Sequence, residues 1–253
     1  MADQAEGIVL QFPAFSNSRK RWMRTPFPQT AVVFMADSGF ERKSRDYLRQ
    51  VQPYVRRHRS INHPFSVNGA CLLIIDMQRF FIDPLSHASF PGAEGIVGNV
   101  QSLLMAFRSH GLPVIFTRHG LLSDEPPGIM GSWWGDVLRI EDPFSSIDDR
   151  LRPLAEERIV RKTRYSAFAG TDLEEILKEL GVTRLVITGV ITHLCCESTA
   201  RDAFMRDYEV FFIVDSTAAD DEELHIGSLR ALVDGFAILA TTKEVMGWLD
   251  EGK

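Results

Sequence analysis

The sequence predicts a doubly wound α/β fold, a three-layer, Rossmann-like sandwich with about six parallel strands covered by helices on both faces. Three observations carry that prediction. Short aliphatic runs without polar alternation recur along the chain, the pattern of strands buried on both faces of a parallel sheet. Stretches with apolar residues at helical spacing separate them, as in LEEILKEL. A length of 253 residues with 45% hydrophobic and 25% charged residues suits one large core and excludes a disordered or collagen-like chain.

Residues 1–68 read as a basic N-terminal extension and 69–253 as the domain proper. The extension is punctuated by Pro13, Pro26 and Pro28, then shows a short AVVFM run and a helical stretch from about Ser44 to Arg57. The first strand is CLLIID, ending in Asp76. Further strands are expected at PVIFT (113–117), RIV (158–160), RLVITGV (184–190), VFFIV (210–214) and FAILA (236–240). Helices are expected at about 95–109, 172–180, 197–207, 222–233 and 242–249.

Charge is unevenly spread. Residues 1–60 carry 11 Lys and Arg against 5 Asp and Glu, or +6, which leaves −12 for the rest of a chain whose net charge is −6. The acidic body is a poor partner for nucleic acid, and in the arm Arg19, Lys20, Arg21 and Arg24 have only Trp22 as an interleaved aromatic. The arm is expected to pack on the acidic body or a neighbouring subunit. Three cysteines, two of them the neighbours Cys195 and Cys196, imply no disulfide framework and a reducing compartment. No apolar run reaches a membrane-spanning length and MADQAEGIVLQFPAF lacks secretory character, so a cytoplasmic location without membrane contact is expected.

In a doubly wound sheet ligands bind outside the carboxyl ends of the strands, near the switch in strand order. Three chemistry-bearing residues fall at such ends. Asp76 follows LLII, where desolvation raises a carboxyl pKa unless a cation compensates; alone, it could equally cap the next turn. Lys162 ends the 158–160 strand and needs an anion if buried, though beside Arg161 and Arg164 it also suits a solvated surface. Cys195 opens a helix-like stretch, where unpaired N–H groups and the helix dipole would stabilise a thiolate; Cys196 and Cys71 read as buried and inert. Together they supply a base, an electrostatic stabiliser and a nucleophile.

At these residues the chain resembles the isochorismatase-like hydrolases, or cysteine hydrolase superfamily, which includes nicotinamidases, N-carbamoylsarcosine and ureidoacrylate amidohydrolases, and isochorismatases. The resemblance runs from about Ala70 to Trp248. It rests on LLIIDMQ, RKTRYSAFAGTDLEEIL and above all VITGVITHLCCESTARDAF. It implies that Asp76, Lys162 and Cys195 form a catalytic triad. It also implies a cis peptide between Val190 and Ile191, with the N–H groups of Ile191 and Cys195 forming an oxyanion hole, and a homo-oligomer, dimer or tetramer.

The metal-binding WHP-type segment of nicotinamidases is absent after the 113–117 strand, where RHGLLSDEPPG stands, so neither a metal nor another cofactor is expected. Cys195 favours hydrolysis of a C–N bond in a small amide, carbamoyl or ureido compound. Vinyl-ether cleavage of the isochorismatase type is the alternative, suggested by GLLSDEPPGIMGSWWG and His193; those enzymes commonly carry glycine where Cys195 stands. A catalytically idle member acting in assembly is the third reading. Candidate substrate contacts are Gln78, Arg118, Trp134, Tyr165, Phe168 and His193, with His119 readable as contact or loop residue. The acids from Asp215 to Glu223 read as a solvated helix start.

Overall fold

A computed structural model describes residues 38–55 and 64–252. The arm's basic Arg19–Arg24 segment and its expected docking lie outside the described residues. All six strands are parallel, in the order β3-β2-β1-β4-β5-β6: β1 (Ala70–Ile75), β2 (Val114–His119), β3 (Arg158–Lys162), β4 (Arg184–Val190), β5 (Glu209–Ala218) and β6 (Ile238–Ala240). The order reverses at β1, with β2 and β4 on its two sides, so the crevice lies at the carboxyl ends of those strands.

The helices are α1 (Ser38–Val51), the single turn α2 (Arg79–Ile82), α3 (Pro91–Ser109), α4 (Gly128–Trp134), α5 (Leu173–Glu179), α6 (Glu197–Phe204), α7 (Glu222–Gly235) and α8 (Thr242–Asp250). The aliphatic runs of β1, β2, β4 and β5 are buried on both faces, as their lack of alternation requires, whereas the edge strand β3 leaves Ile159 51% exposed and β6 is half-buried. Along β1, Cys71, Leu73 and Ile75 join one core with Leu173 and Leu177 of α5, Ala200 and Ala203 of α6, and Leu229 and Leu232 of α7. Leu72 and Ile74 join the other, with Val100 and Phe107 of α3 and Val245 and Leu249 of α8.

Element ends differ from expectation for identifiable reasons. The helix expected over 44–57 starts earlier and stops at Val51, because Pro53 enters a 3-10 turn at Gln52–Tyr54 and has no N–H to continue the ladder. Residues 236–237 belong to the turn closing α7, which shortens β6. Two strands run two residues beyond their apolar cores, to His119 and Lys162, because those residues stay in parallel register with each other. Helix α4 had no apolar period to announce it; Trp133 on it is 75% exposed.

Candidate active site

The carboxyl edge of the sheet brings Asp76, Lys162 and Cys195 together. Asp76 follows β1 with φ 49°, a left-handed conformation that costs a non-glycine residue about 1–3 kcal/mol and persists only where neighbours hold it. Thr117 of β2 holds it. Its hydroxyl accepts from the Asp76 N–H at 3.1 Å and donates to Asp76 Oδ1 at 2.6 Å. Asp76 Oδ2 faces Lys162 Nζ at 2.7 Å, in an ion pair whose side chains are both fully buried.

The lysine reaches from β3 across β2, with the remaining ammonium directions filled by Cys195 Sγ at 3.2 Å and the Arg164 carbonyl at 3.0 Å. Burial alone would push the Lys162 pKa down. The Asp76 carboxylate, with the hydrogen bonds to Asp76 and Cys195, outweighs it and raises the pKa, so the lysine stays charged. A buried ammonium is stable only when paired and hydrogen-bonded in this manner.

Cys195 departs from the sequence expectation. It lies inside a π-helical turn, Thr192–Cys196, ahead of α6, rather than at the helix start. Its pKa is pushed up to about 12, first by burial and then by Asp76, against the opposing pull of Lys162. The resting group is therefore a thiol. The Val190–Ile191 peptide is cis, which the resemblance implied, and the Ile191 and Leu194–Cys196 backbone forms the turn around the sulfur. Gly189, just before, has φ +112° and lies so close to β1 that a Cβ would collide with the Ile75 carbonyl.

The expected substrate contacts divide. Trp134 and Tyr165 meet, the indole Nε1 donating to the phenol oxygen at 2.7 Å, and Tyr165 lies where the charges of Cys195 and Lys162 act on it. Gln78 is turned to another use: buried, it donates to the His119 carbonyl at 2.9 Å and the Ser145 carbonyl at 2.7 Å, and accepts from the His119 N–H. Both amide hydrogens are thus taken, and Gln78 ties β2 to the 140–145 loop. Arg118 does the same work, donating to the Ser145 and Ile140 carbonyls at 2.9 Å each. Phe168 belongs to the core, stacked on Tyr208 and beneath the Arg206 guanidinium. His193 is half-buried, and burial lowers its pKa against the opposing charges of Asp220, Glu197 and Asp221. For Gln78 and Arg118, position indicated the strand end but not which way packing would turn the side chain, and for Phe168 residue type did not separate pocket wall from core.

Thr117 was missed, although a hydroxyl closing the apolar run PVIFT at a strand end is a readable signal. His119 stands in register with Lys162 on the neighbouring strand. Its pKa is lowered to about 4, chiefly by burial and then by Lys162, and its Nδ1 is buried without a hydrogen-bond partner. Among the described residues no three His, Cys, Asp or Glu side chains gather to hold a metal ion, and no helix is long and apolar enough to cross a membrane.

Residues 70–244 match the Isochorismatase domain. The chain is 39% identical to Nicotinamidase 3 of Arabidopsis thaliana over 67% of this chain and 83% of that one. It is 34% identical to Enterobactin synthase component B of Escherichia coli strain K12 over 74% of this chain, a region that spans 65% of that protein. Among solved structures, a cysteine hydrolase from Pseudomonas syringae pv. phaseolicola 1448A superposes with a TM-score of 0.73 at 28% identity, covering 76% of this chain and 97% of that one. The six-stranded parallel sheet, its switch point at β1 and the matched segments that carry the strand-end acid, lysine and cysteine agree with these likenesses, and the chain belongs to the isochorismatase-domain family of hydrolases.

Proposed function

We propose that this hydrolase cleaves a C–N bond of a small amide, carbamoyl or ureido compound by covalent catalysis at Cys195. The observation that carries the reading is the placement of Lys162 Nζ, 2.7 Å from Asp76 Oδ2 and 3.2 Å from Cys195 Sγ, beside a thiol held protonated. A buried thiol next to a carboxylate needs a base at the moment of attack, and Asp76 is that base.

The Asp76 carboxylate takes the Sγ proton as sulfur attacks the substrate carbonyl carbon. The Ile191 and Cys195 N–H groups receive the oxyanion. Collapse breaks the C–N bond, Asp76 returns the proton to the departing amine, and the acyl group remains on sulfur as a thioester. Water activated by Asp76 then adds to the thioester, releasing the acid and restoring the thiol. Lys162 keeps the charge at this centre balanced throughout. The Trp134–Tyr165 pair forms a wall: the phenol oxygen accepts from the indole, which leaves its own hydrogen to be donated to a substrate acceptor. Vinyl-ether cleavage has no use for a nucleophile, so a cysteine set against lysine and aspartate favours the amide reading. The enzyme is further proposed to work in the cytoplasm as a homo-oligomer.

The test is ammonia release from nicotinamide and N-carbamoylsarcosine, with mass mapping of quenched enzyme for an acyl group on Cys195. Turnover of either compound that survives Cys195→Ala undiminished would overturn the assignment.

A further inference from the structure

Helix α1 lies outside the matched domain, which begins at residue 70, yet it is built into the core behind the cysteine turn. Val51 is 1% exposed and belongs to the same apolar cluster as Cys195 and Cys196, with Tyr47 and Leu48 packed against it. Ser44 of α1 donates to Asp215 Oδ2 on β5 at 3.4 Å. The Tyr47 ring packs on the His225 ring of α7, centroids 4.8 Å apart. His225 is buried, and its Nδ1 shares a hydrogen bond of 2.9 Å with Thr192 Oγ1. Thr192 is fully buried and is the first residue of the turn that carries Cys195.

From this continuous path we propose that α1 is a positioning element for the cysteine, acting through Tyr47, His225 and Thr192. The physical reason lies in the turn. A π-helical turn is a rare backbone form, and this one holds Sγ 3.2 Å from an ammonium that also serves Asp76. The Thr192 hydroxyl anchors its first residue through His225, whose ring is held by Tyr47 and by a backbone hydrogen bond with Val214. Tyr47 covers that ring. Burial keeps His225 neutral, with its pKa lowered to about 4, so the anchor is unchanged across the neutral range. His193 and Lys43 are the charged or titratable side chains whose fields reach it. The inference rests on the preceding reading only in taking Cys195 as the working sulfur.

The experiment uses the full chain and needs no substrate: the rate of Cys195 alkylation by iodoacetamide is followed against pH by peptide mass mapping, with buried Cys71 as the internal control. Burial sets the Cys195 midpoint first, with Lys162 pulling it down and Asp76 pushing it up. Freeing the turn lengthens the Sγ to Nζ contact and weakens the one attraction that opposes burial, so the midpoint moves up. Thr192→Val is expected to raise it by about half a unit or more, slowing alkylation about threefold at fixed pH, and Thr192→Ser to restore it. Tyr47→Ala, at a half-buried site and used only once its melting transition is shown to be retained, is expected to shift it in the same direction, and Tyr47→Phe, which keeps the ring, to leave it in place. A midpoint that stays fixed or falls in Thr192→Val and Tyr47→Ala overturns the proposal. Because alkylation does not require turnover, this result stands apart from the hydrolysis test with Cys195→Ala.

Discussion

The triad edge and the rim that faces it, residues 121–140, are built on opposite terms. At the edge the charged groups of the triad are buried and answered: Asp76 by Thr117 and Lys162, Lys162 by Asp76, Cys195 and the Arg164 carbonyl. At the rim the groups are half exposed and held by hydrogen bonds close to solvent, such as Trp134 to Tyr165 and Arg139 to the Leu122 and Glu125 carbonyls. The difference follows from the cost of burial. An unpaired charge in a low-dielectric interior costs several kcal/mol, so a buried catalytic centre tolerates few arrangements, whereas a solvated loop tolerates many. On the proposed reading, chemistry is fixed at the edge and selectivity is left to the rim.

The largest test of that contrast is Cys195→Ala. Loss of the nucleophile should lower hydrolysis by at least roughly four orders of magnitude while the melting transition is retained, because groups that act as a unit fail together. Cys196→Ala should leave turnover nearly unchanged. Alkylation trapped on Cys196 instead of Cys195 would place the nucleophile one residue further on.

Breaking the ion pair comes next. Lys162→Met leaves a buried carboxylate without its cation and is expected to cost about 3–5 kcal/mol in denaturant unfolding, together with most activity. Lys162→Arg should not rescue it, since a planar guanidinium does not fit three contacts made by a compact ammonium. Adding Asp76→Asn to Lys162→Met should cost far less than the two single losses combined; simple additivity would mean that the two side chains work separately.

A pH series sharpens the contrast further, because its titrating groups lie at the edge and behind it. His119 and His225 both have folded pKa values lowered to about 4 from an ordinary 6.5. The unfolded chain therefore binds protons first as pH falls. Their contribution to stability is complete above pH 6.5 and declines as the solution is taken from 6.5 toward 4. Cys195, raised to about 12, acts in the other direction: its contribution is present below the ordinary thiol range and is lost as pH rises toward 12. Chemical unfolding across these windows checks both signs. A flat profile from 6.5 to 4 would contradict the burial of the two histidines.

The smallest effects belong to the rim. Trp134→Phe removes the N–H that orients the Tyr165 hydroxyl and is expected to raise KM by an amount equivalent to about 1 kcal/mol, with kcat little changed. Trp133→Ala, at a site 75% exposed, should alter stability by no more than about 0.5 kcal/mol. A loss in Trp133→Ala as large as that in Lys162→Met would show the rim to be as constrained as the edge.

The sequence by itself determined the sheet and three of its strand-end residues. A parallel sheet covered on both faces demands aliphatic runs such as CLLII and RLVITGV, and its topology sends polar residues that follow them to one edge. Asp76, Lys162 and Cys195 were legible for that reason. Tertiary structure alone decided what each neighbour does. Gln78 and Arg118 lie at the same edge, yet their donors close onto the Ser145 carbonyl of a loop far along the chain. Phe168 was drawn into the core by Tyr208, and the expected thiolate became a thiol because burial around Cys195 outweighs the pull of Lys162. Tyr47 meets His225 only because α1 folds back onto α7. Strand periodicity is a local property of the chain, whereas hydrogen-bond partners and desolvation depend on atoms brought together from distant segments, which local pattern does not encode.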